Sequence, residues 1–156
     1  MKALIHRALA TGKHLSILLA AALCLAGCEH DGHSDGVPYK RAEHYFLRNN
    51  VDARKVPVQI KTQAEFDRYF GMAAVMGGQP TAIDFDRQFV IAIVLPETTH
   101  STAIHPGPLT DAGESLQLEY RVSVAPEENT WTSVPVSLLI VDKRYDRPTV
   151  TLTKKD

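Results

Sequence analysis

The chain is poor in cysteine and in recognisable catalytic motifs, and both absences narrow its function. Its 156 residues include two cysteines, Cys24 and Cys28, too few for a disulfide-stabilised scaffold. It also lacks the P-loop, GxGxxG, HExxH and CxxC patterns, which mark nucleotide, dinucleotide, zinc-protease and redox sites. The sequence therefore predicts no cofactor and no metal site.

A strong charge of either sign is also missing. The chain has 17 Lys and Arg against 18 Asp and Glu, a formal net charge of −1. No segment interleaves basic with aromatic residues, the composition that nucleic-acid-binding surfaces require. We therefore expect no nucleic-acid partner.

Long apolar runs are limited to the segment 15–27, "LSILLAAALCLAG", which follows Lys2, Arg7 and Lys13 without an acidic residue. A membrane-spanning helix needs about 20 apolar residues, so this shorter run is typical of a secretory signal. The sequence predicts a signal peptide over residues 1–27.

The end of this segment, Leu25-Ala26-Gly27-Cys28, resembles the bacterial lipobox. The resemblance implies that cleavage leaves Cys28 as the first residue and that its sulfur carries a diacylglycerol anchor. A zinc site built from Cys28, His30 and His33 is the alternative, but "EHDGHSDG" offers no fixed loop for the ligands. Several acyl chains on one cysteine anchor a protein far more firmly than a single myristoyl chain.

Cleavage after residue 27 leaves 129 residues, enough for one domain with its own core. We expect residues 28–38 to form a flexible tether and residues 39–156 to form a single domain. Glu29 follows the anchor where an Asp would favour retention in the inner membrane. The sequence therefore predicts an outer-membrane lipoprotein of the cell envelope.

Hydrophobic periodicity predicts an α+β fold. Thr62 and Glu65 have the spacing of a capping box, and an apolar stripe after them predicts one short helix over about 63–74. The segment 90–95 is continuously apolar, and 136–141 is apolar apart from Ser137. Both compositions are typical of strands covered on both faces. Residues 116–124 alternate between apolar and polar, as a strand with one wet face does. We expect an antiparallel sheet or a twisted β-sandwich with the helix packed on it.

Candidate catalytic residues are few and isolated. Asp84 and Asp86 could act as an acid–base pair or bind a hard cation. Alternatively, Asp84 or Asp86 could cap a turn or pair with Arg87. His100 lies beside Ser101, but the sequence has no nucleophile elbow. His105 comes five positions after His100, so on a regular strand they lie on opposite faces and cannot share a metal. We predict no catalytic residue.

The candidate partner surface comprises His100, His105 and Trp131. The segments 96–108 and 125–135 around them are rich in polar residues, and we expect loops there, with 100–108 able to pair as a strand before a Pro/Gly turn. Trp131 is the sole tryptophan. It could fill a gap in the core or anchor a partner, since aromatic residues are enriched in interface hot spots.

The order of segments resembles a known family. The stretches "PTAIDFDRQFVIAIV" and "TSVPVSLLIVDK", following a lipobox and a short helix with Phe66, are similar to the C-terminal domain of PrcB-type lipoproteins. The resemblance covers roughly residues 58–145 and includes Pro80, Ile83, Asp84, Phe85 and Pro135. It implies a non-catalytic accessory role in a surface protease complex.

The function we expect is that of a lipid-anchored, non-catalytic module that binds another envelope protein, such as a protease. Two alternatives stay open. The chain could inhibit a protease by presenting the segment 105–111 or 126–133, or it could be a small hydrolase that uses Asp84, Asp86 or His100.

Overall fold

The computed structural model describes residues 36–73 and 78–156. The predicted signal peptide, Cys28 and the tether up to residue 35 lie outside these ranges. One α-helix, α1, spans Gln63–Tyr69, and short 3-10 turns span Ala53–Lys55 and Lys143–Tyr145. The strands are β1 Tyr39–Ala42, β2 Tyr45–Leu47, β3 Gln59–Ile60, β4 Phe70–Met72, β5 Gln88–Val94, β6 Thr98–Asp111, β7 Ser115–Ser133, β8 Val136–Asp142 and β9 Thr149–Lys154.

These strands form three sheets. The central sheet has the antiparallel order β1-β8-β5-β3, and a second sheet has the order β6-β7-β9, in which β9 runs parallel to β7. A small antiparallel pair joins β2 to β4. Antiparallel and mixed sheets with one short helix confirm the predicted α+β class.

Both faces of β5 and β8 are buried, as their continuous apolar runs predict. On one face, Ile91 and Leu139 belong to a core cluster that also contains Leu116 and Leu118 from β7. On the other face, Val90 belongs to a second cluster formed with residues of α1, β2 and β3. Each fully buried aliphatic side chain contributes about 1.5–3 kcal/mol, so these two strands carry much of the stability of the fold.

Helix α1 starts as predicted and ends earlier. The Thr62 hydroxyl accepts a hydrogen bond from the Glu65 amide at 3.2 Å, which confirms the cap. The predicted extent of 63–74 is wrong, because Phe70–Met72 leaves the helix and pairs with β2. A Cβ on Gly71 would lie 2.9 Å from Cζ of Phe46, so only glycine lets this ring pack across the strand pair.

The described chain begins beside the turn that joins β6 to β7. The Val37 amide donates to the Leu109 carbonyl at 2.7 Å, and the Tyr39 hydroxyl donates to the Gly107 carbonyl at 2.9 Å. Burial raises the pKa of this Tyr39 hydroxyl. The chain thus enters the fold at one end of the β6–β7 sheet.

The same turn is held by a charged pair. Gly113 has a φ of 86°, which L-residues rarely adopt, and its amide donates to the Asp111 carboxylate. The Arg147 guanidinium also binds this carboxylate through two nitrogens, and this bond holds the pKa of Asp111 below its usual range. The pair connects the turn to the segment that leads into β9.

Within residues 36–73 and 78–156, the structure contains no helix of the length and hydropathy needed to cross a membrane.

Candidate partner-binding surface

The three residues predicted for a partner surface lie on one feature, a β-ribbon that we call the bulged ribbon. It consists of residues 98–105 of β6 and residues 121–133 of β7. The prediction of loops over 96–108 and 125–135 is wrong, because nearly all of these residues belong to paired strands. The polar composition reflects exposure to solvent, which most of this two-stranded ribbon shares with a loop, although Ile104 belongs to the buried core.

Strand β7 contains extra residues in this ribbon. Thr98 pairs with Ser133 and His100 with Glu128, so two steps along β6 match five along β7. The next interval, from His100 to Thr102, matches four steps along β7. Such bulges bend a strand and re-aim its side chains. They explain why the regular alternation seen near the start of β7 is lost in "APEENTWTS".

His100 links the two strands at the bulges. Its Nδ1 lies 3.1 Å from the Ala125 carbonyl oxygen, and its Nε2 lies 3.6 Å from a Glu128 carboxylate oxygen. Because a carbonyl only accepts, Nδ1 must carry a proton in this contact. The Thr98 hydroxyl accepts from the His100 amide at 3.1 Å, which fixes the residue on the β6 side as well. His100 therefore positions the bulge.

His105 makes a different cross-strand contact. Its Nε2 lies 2.8 Å from the Ser123 hydroxyl, beside a shallow concavity of about 130 Å³ that Tyr120 and Lys155 also line. Both His105 and Ser123 are exposed, and the structure gives His105 no hydrogen bond to a carboxylate among the described residues. A serine nucleophile needs a base that a third group orients, so this pair fits a structural hydrogen bond. Sequence reasoning missed Ser123, since its partner is 18 residues away.

Trp131 is exposed on the bulged ribbon. Its exposed fraction is 64%, and that of Val124 is 57%, so the interpretation of Trp131 as a core residue is wrong. The alternation that buries Leu116 and Leu118 continues to Val124, but Val124 lies outside both core clusters. The ribbon therefore presents two large apolar side chains to solvent.

A cleft of about 450 Å³ adjoins the base of the ribbon. Its lining includes the polar segment 48–54, Pro96, Glu97 and Val134, and Glu97 accepts a hydrogen bond from the Thr132 hydroxyl of the ribbon. Asp52 binds Arg54 through its carboxylate, and this bond lowers the pKa of Asp52. Each of these two charges is therefore partly balanced by the other. Asn50 in this segment has a φ of 70°, a left-handed conformation that asparagine adopts more readily than most residues.

Asp84 and Asp86 form a turn. A carboxylate oxygen of Asp84 accepts from the Asp86 amide at 3.0 Å, and the Asp84 carbonyl accepts from the amides of Arg87 and Gln88. This confirms the capping interpretation. The turn precedes β5 whereas the bulged ribbon follows it, so the structure does not bring the two aspartates together with His100.

The part of the chain that the structure describes contains no group of three or more His, Cys, Asp or Glu residues arranged to hold a metal ion. The fold and this surface define an α+β module with an exposed, bulged β-ribbon. No protein-family model, curated protein or solved structure matches the chain. The similarity to PrcB-type lipoproteins stays a prediction from the sequence.

Proposed function

We propose that this protein is a non-catalytic binding module, anchored in the cell envelope through acylated Cys28, that engages another envelope protein through the bulged ribbon. A twisted β-sandwich serves as its rigid scaffold. The exposure of Trp131 and Val124 on the ribbon carries the proposal. Large aromatic side chains that are exposed in the free protein and surrounded by polar groups are typical of interface anchors.

The position at which the chain enters the fold supports an orientation in which the bulged ribbon faces away from the membrane. Val37 lies within the predicted tether of 28–38, but it is buried and binds Leu109, so the tether ends before it. Thr98, where the ribbon joins its base, lies eleven positions from Leu109 along β6. At a rise of roughly 3.3 Å per residue, that distance is about 36 Å along the strand. A tether of ten residues adds roughly 15–18 Å. The ribbon would thus lie away from the membrane, where a partner can reach it.

A protease is the partner that the PrcB-type resemblance suggests. Inhibition of that protease is a second candidate function, and one observation favours it: residues 126–133 are extended and largely exposed on the bulged strand. The other predicted inhibitory segment, 105–111, fits poorly, because Leu109 is buried and Gly107 accepts the Tyr39 hydroxyl. A hydrolase has no support from the placement of Asp84, Asp86 and His100.

Site-specific photo-cross-linking tests the proposal. A photoreactive phenylalanine analogue would replace Trp131 in the full chain, and in a matched variant it would replace Met72, which is 71% exposed on β4. We expect irradiation of native envelopes to yield one major adduct from position 131 and none from position 72. Mass spectrometry then identifies the partner. The same adducts from both positions, or no adduct from 131, would contradict the proposal.

The two candidate functions differ in their effect on proteolysis. If the cross-linked partner is a protease, its cleavage of a fluorogenic peptide is measured with and without the purified chain. An accessory module leaves the rate unchanged or raises it, whereas an inhibitor lowers it in proportion to its concentration.

A further inference from the structure

The outer edge of β6 is open along the bulged ribbon. Strand β6 lies at the edge of its sheet, with β7 on one side only. On the other side, Val37 and Tyr39 bind the carbonyls of Leu109 and Gly107. Among the described residues, none makes a backbone hydrogen bond to positions 98–105 across this outer edge. The segment is therefore a template for an added strand.

This edge lacks the features that usually prevent strand addition. Residues 98–105, "TTHSTAIH", include no Lys, Arg, Asp, Glu or Pro, and the bulges within this segment lie on β7, whereas the extra residue on β6 comes later, between Pro106 and Leu109. Threonine and isoleucine also favour extended backbone. Proteins commonly protect exposed edges with charges, proline or bulges, so the absence of all three from this edge indicates a use for it.

The other edge strands of the described sheets are shorter or carry positive charge. Strand β3 has two residues, and β1 has four, of which Lys40 and Arg41 are basic. Strand β9 has six residues, follows Arg147 and Pro148, and ends at Lys154. The open part of β6 is thus the longest uncharged edge in the described fold.

The charges around residues 98–102 of this edge are acidic and indicate which partner it fits, whereas Arg121 pairs with His105 at the other end of the segment. Glu97, Glu127 and Glu128 lie on or beside the ribbon, and among the described residues no lysine or arginine forms an ion pair with them. Trp131 offers its ring face to a cation as well. A second copy of this chain would bring the same glutamates to the contact, and like charges would repel. A basic segment is therefore the occupant that the surface favours.

We propose that an extended segment of the partner protein, bearing Lys or Arg, adds as a strand to residues 98–105 of β6 and places its basic side chains near Glu97, Glu127, Glu128 and Trp131. This inference rests on the proposed function and names the chemistry of the partner. Backbone hydrogen bonds supply affinity in this mode of recognition, and side chains supply specificity.

Three synthetic peptides of about ten residues each test the proposal. The first alternates Lys and Val, the second alternates Glu and Val, and the third repeats the first with its four central amides N-methylated, so that neither strand edge can donate there. The full chain is purified in a neutral mild detergent. Trp131, its sole tryptophan, reports binding by fluorescence.

We expect the Lys/Val peptide to bind saturably and to slow hydrogen exchange of the amides in 98–105. We expect the Glu/Val and N-methylated peptides to bind about tenfold more weakly or not at all. The double variant Ser101→Lys/Ala103→Lys, at two exposed positions of the edge, should weaken binding of the Lys/Val peptide by about tenfold. The matched control Thr151→Lys/Thr153→Lys, at exposed positions of β9, should change it by less than about twofold. Circular dichroism verifies that both variants are folded.

Equal binding of all three peptides, no binding of the Lys/Val peptide up to about 1 mM, or equal weakening in both double variants would overturn the inference. The cross-linking at Trp131 separates this failure from that of the proposed function. If position 131 yields a single adduct but the three peptides bind equally, the proposed binding module stands and the proposal of a basic added strand fails. The absence of any adduct removes the binding module itself.

Discussion

Ser137 provides the sharpest test of the packing described above. It lies in β8 opposite Ile93, is 3% exposed, and has a buried hydroxyl with no hydrogen-bond partner among the described residues. Side chains alternate along a strand, so Ser137 shares a face with Leu139 and Val141, which belong to the first core cluster. A hydroxyl thus faces an apolar core.

Replacing Ser137 with alanine should stabilise the protein. A buried polar group without a partner costs about 1–3 kcal/mol. Removing one oxygen leaves a void of roughly 10 Å³, which costs about 0.25 kcal/mol at about 24 cal/mol per Å³. The net expectation is a gain of about 1 kcal/mol in the free energy of unfolding. For a domain of roughly 120 residues, this gain corresponds to a rise of about 4 °C in Tm.

Urea denaturation of the full chain, followed by far-ultraviolet circular dichroism, measures this change. Fluorescence is less suitable because Trp131 is already exposed in the folded state. Ser101→Ala, at an exposed position of β6, is the matched control and should change stability by less than about 0.5 kcal/mol. A loss of about 1 kcal/mol or more in Ser137→Ala would refute the reasoning, since it would mean that the folded state satisfies the hydroxyl.

Three further predictions address the core, the turn and the anchor. Phe66→Ala should lower the free energy of unfolding by about 3–5 kcal/mol, because Phe66 is 2% exposed and packs against three aromatic rings. Urea denaturation measures this loss. A loss below about 1 kcal/mol would contradict the packing of the second core cluster. Arg147 lowers the pKa of Asp111, so the stability from this carboxylate is present above the unfolded-state pKa of about 3.9 and is lost as the pH falls through the folded-state value. Asp111→Asn should therefore be less stable than the wild type at neutral pH, and the gap between their urea midpoints should close in acid; a gap independent of pH would argue against the pair. Cys28→Ala should move the chain from membranes to the soluble fraction after ultracentrifugation of lysed cells, and persistent membrane association would contradict the lipid anchor.

The sequence predicted the core strands correctly, because their signal is local. The segments 90–95 and 136–141 are apolar at every position or nearly so, and a strand with that composition needs cover on both sides. The Thr62 cap and the Asp84 turn also follow from residues within four positions of each other. Such contacts form whenever the local backbone adopts the cap or turn conformation, so they can be inferred without the rest of the fold.

Local pattern could not predict where α1 ends. The apolar spacing continues beyond Tyr69, and helical propensity alone would extend the helix. Pairing of Phe70–Met72 with Tyr45–Leu47 ends it instead. That pairing joins segments about 25 residues apart. Tertiary contacts therefore outweigh the helical pattern at this point.

For the candidate surface as well, the sequence determined one part and the tertiary structure decided the rest. The sequence by itself determined its residue types, with His100, His105 and the sole tryptophan placed in polar segments, and it determined the lipobox-like Cys28 as a predicted anchor. Only the tertiary structure decided that these polar segments pair as one ribbon, that β7 bulges opposite His100, and that Trp131 and Val124 face solvent. The physical reason is that burial depends on what covers a strand. The same alternation buries Leu116, which packs with side chains of the central sheet, and exposes Val124, which no core cluster covers.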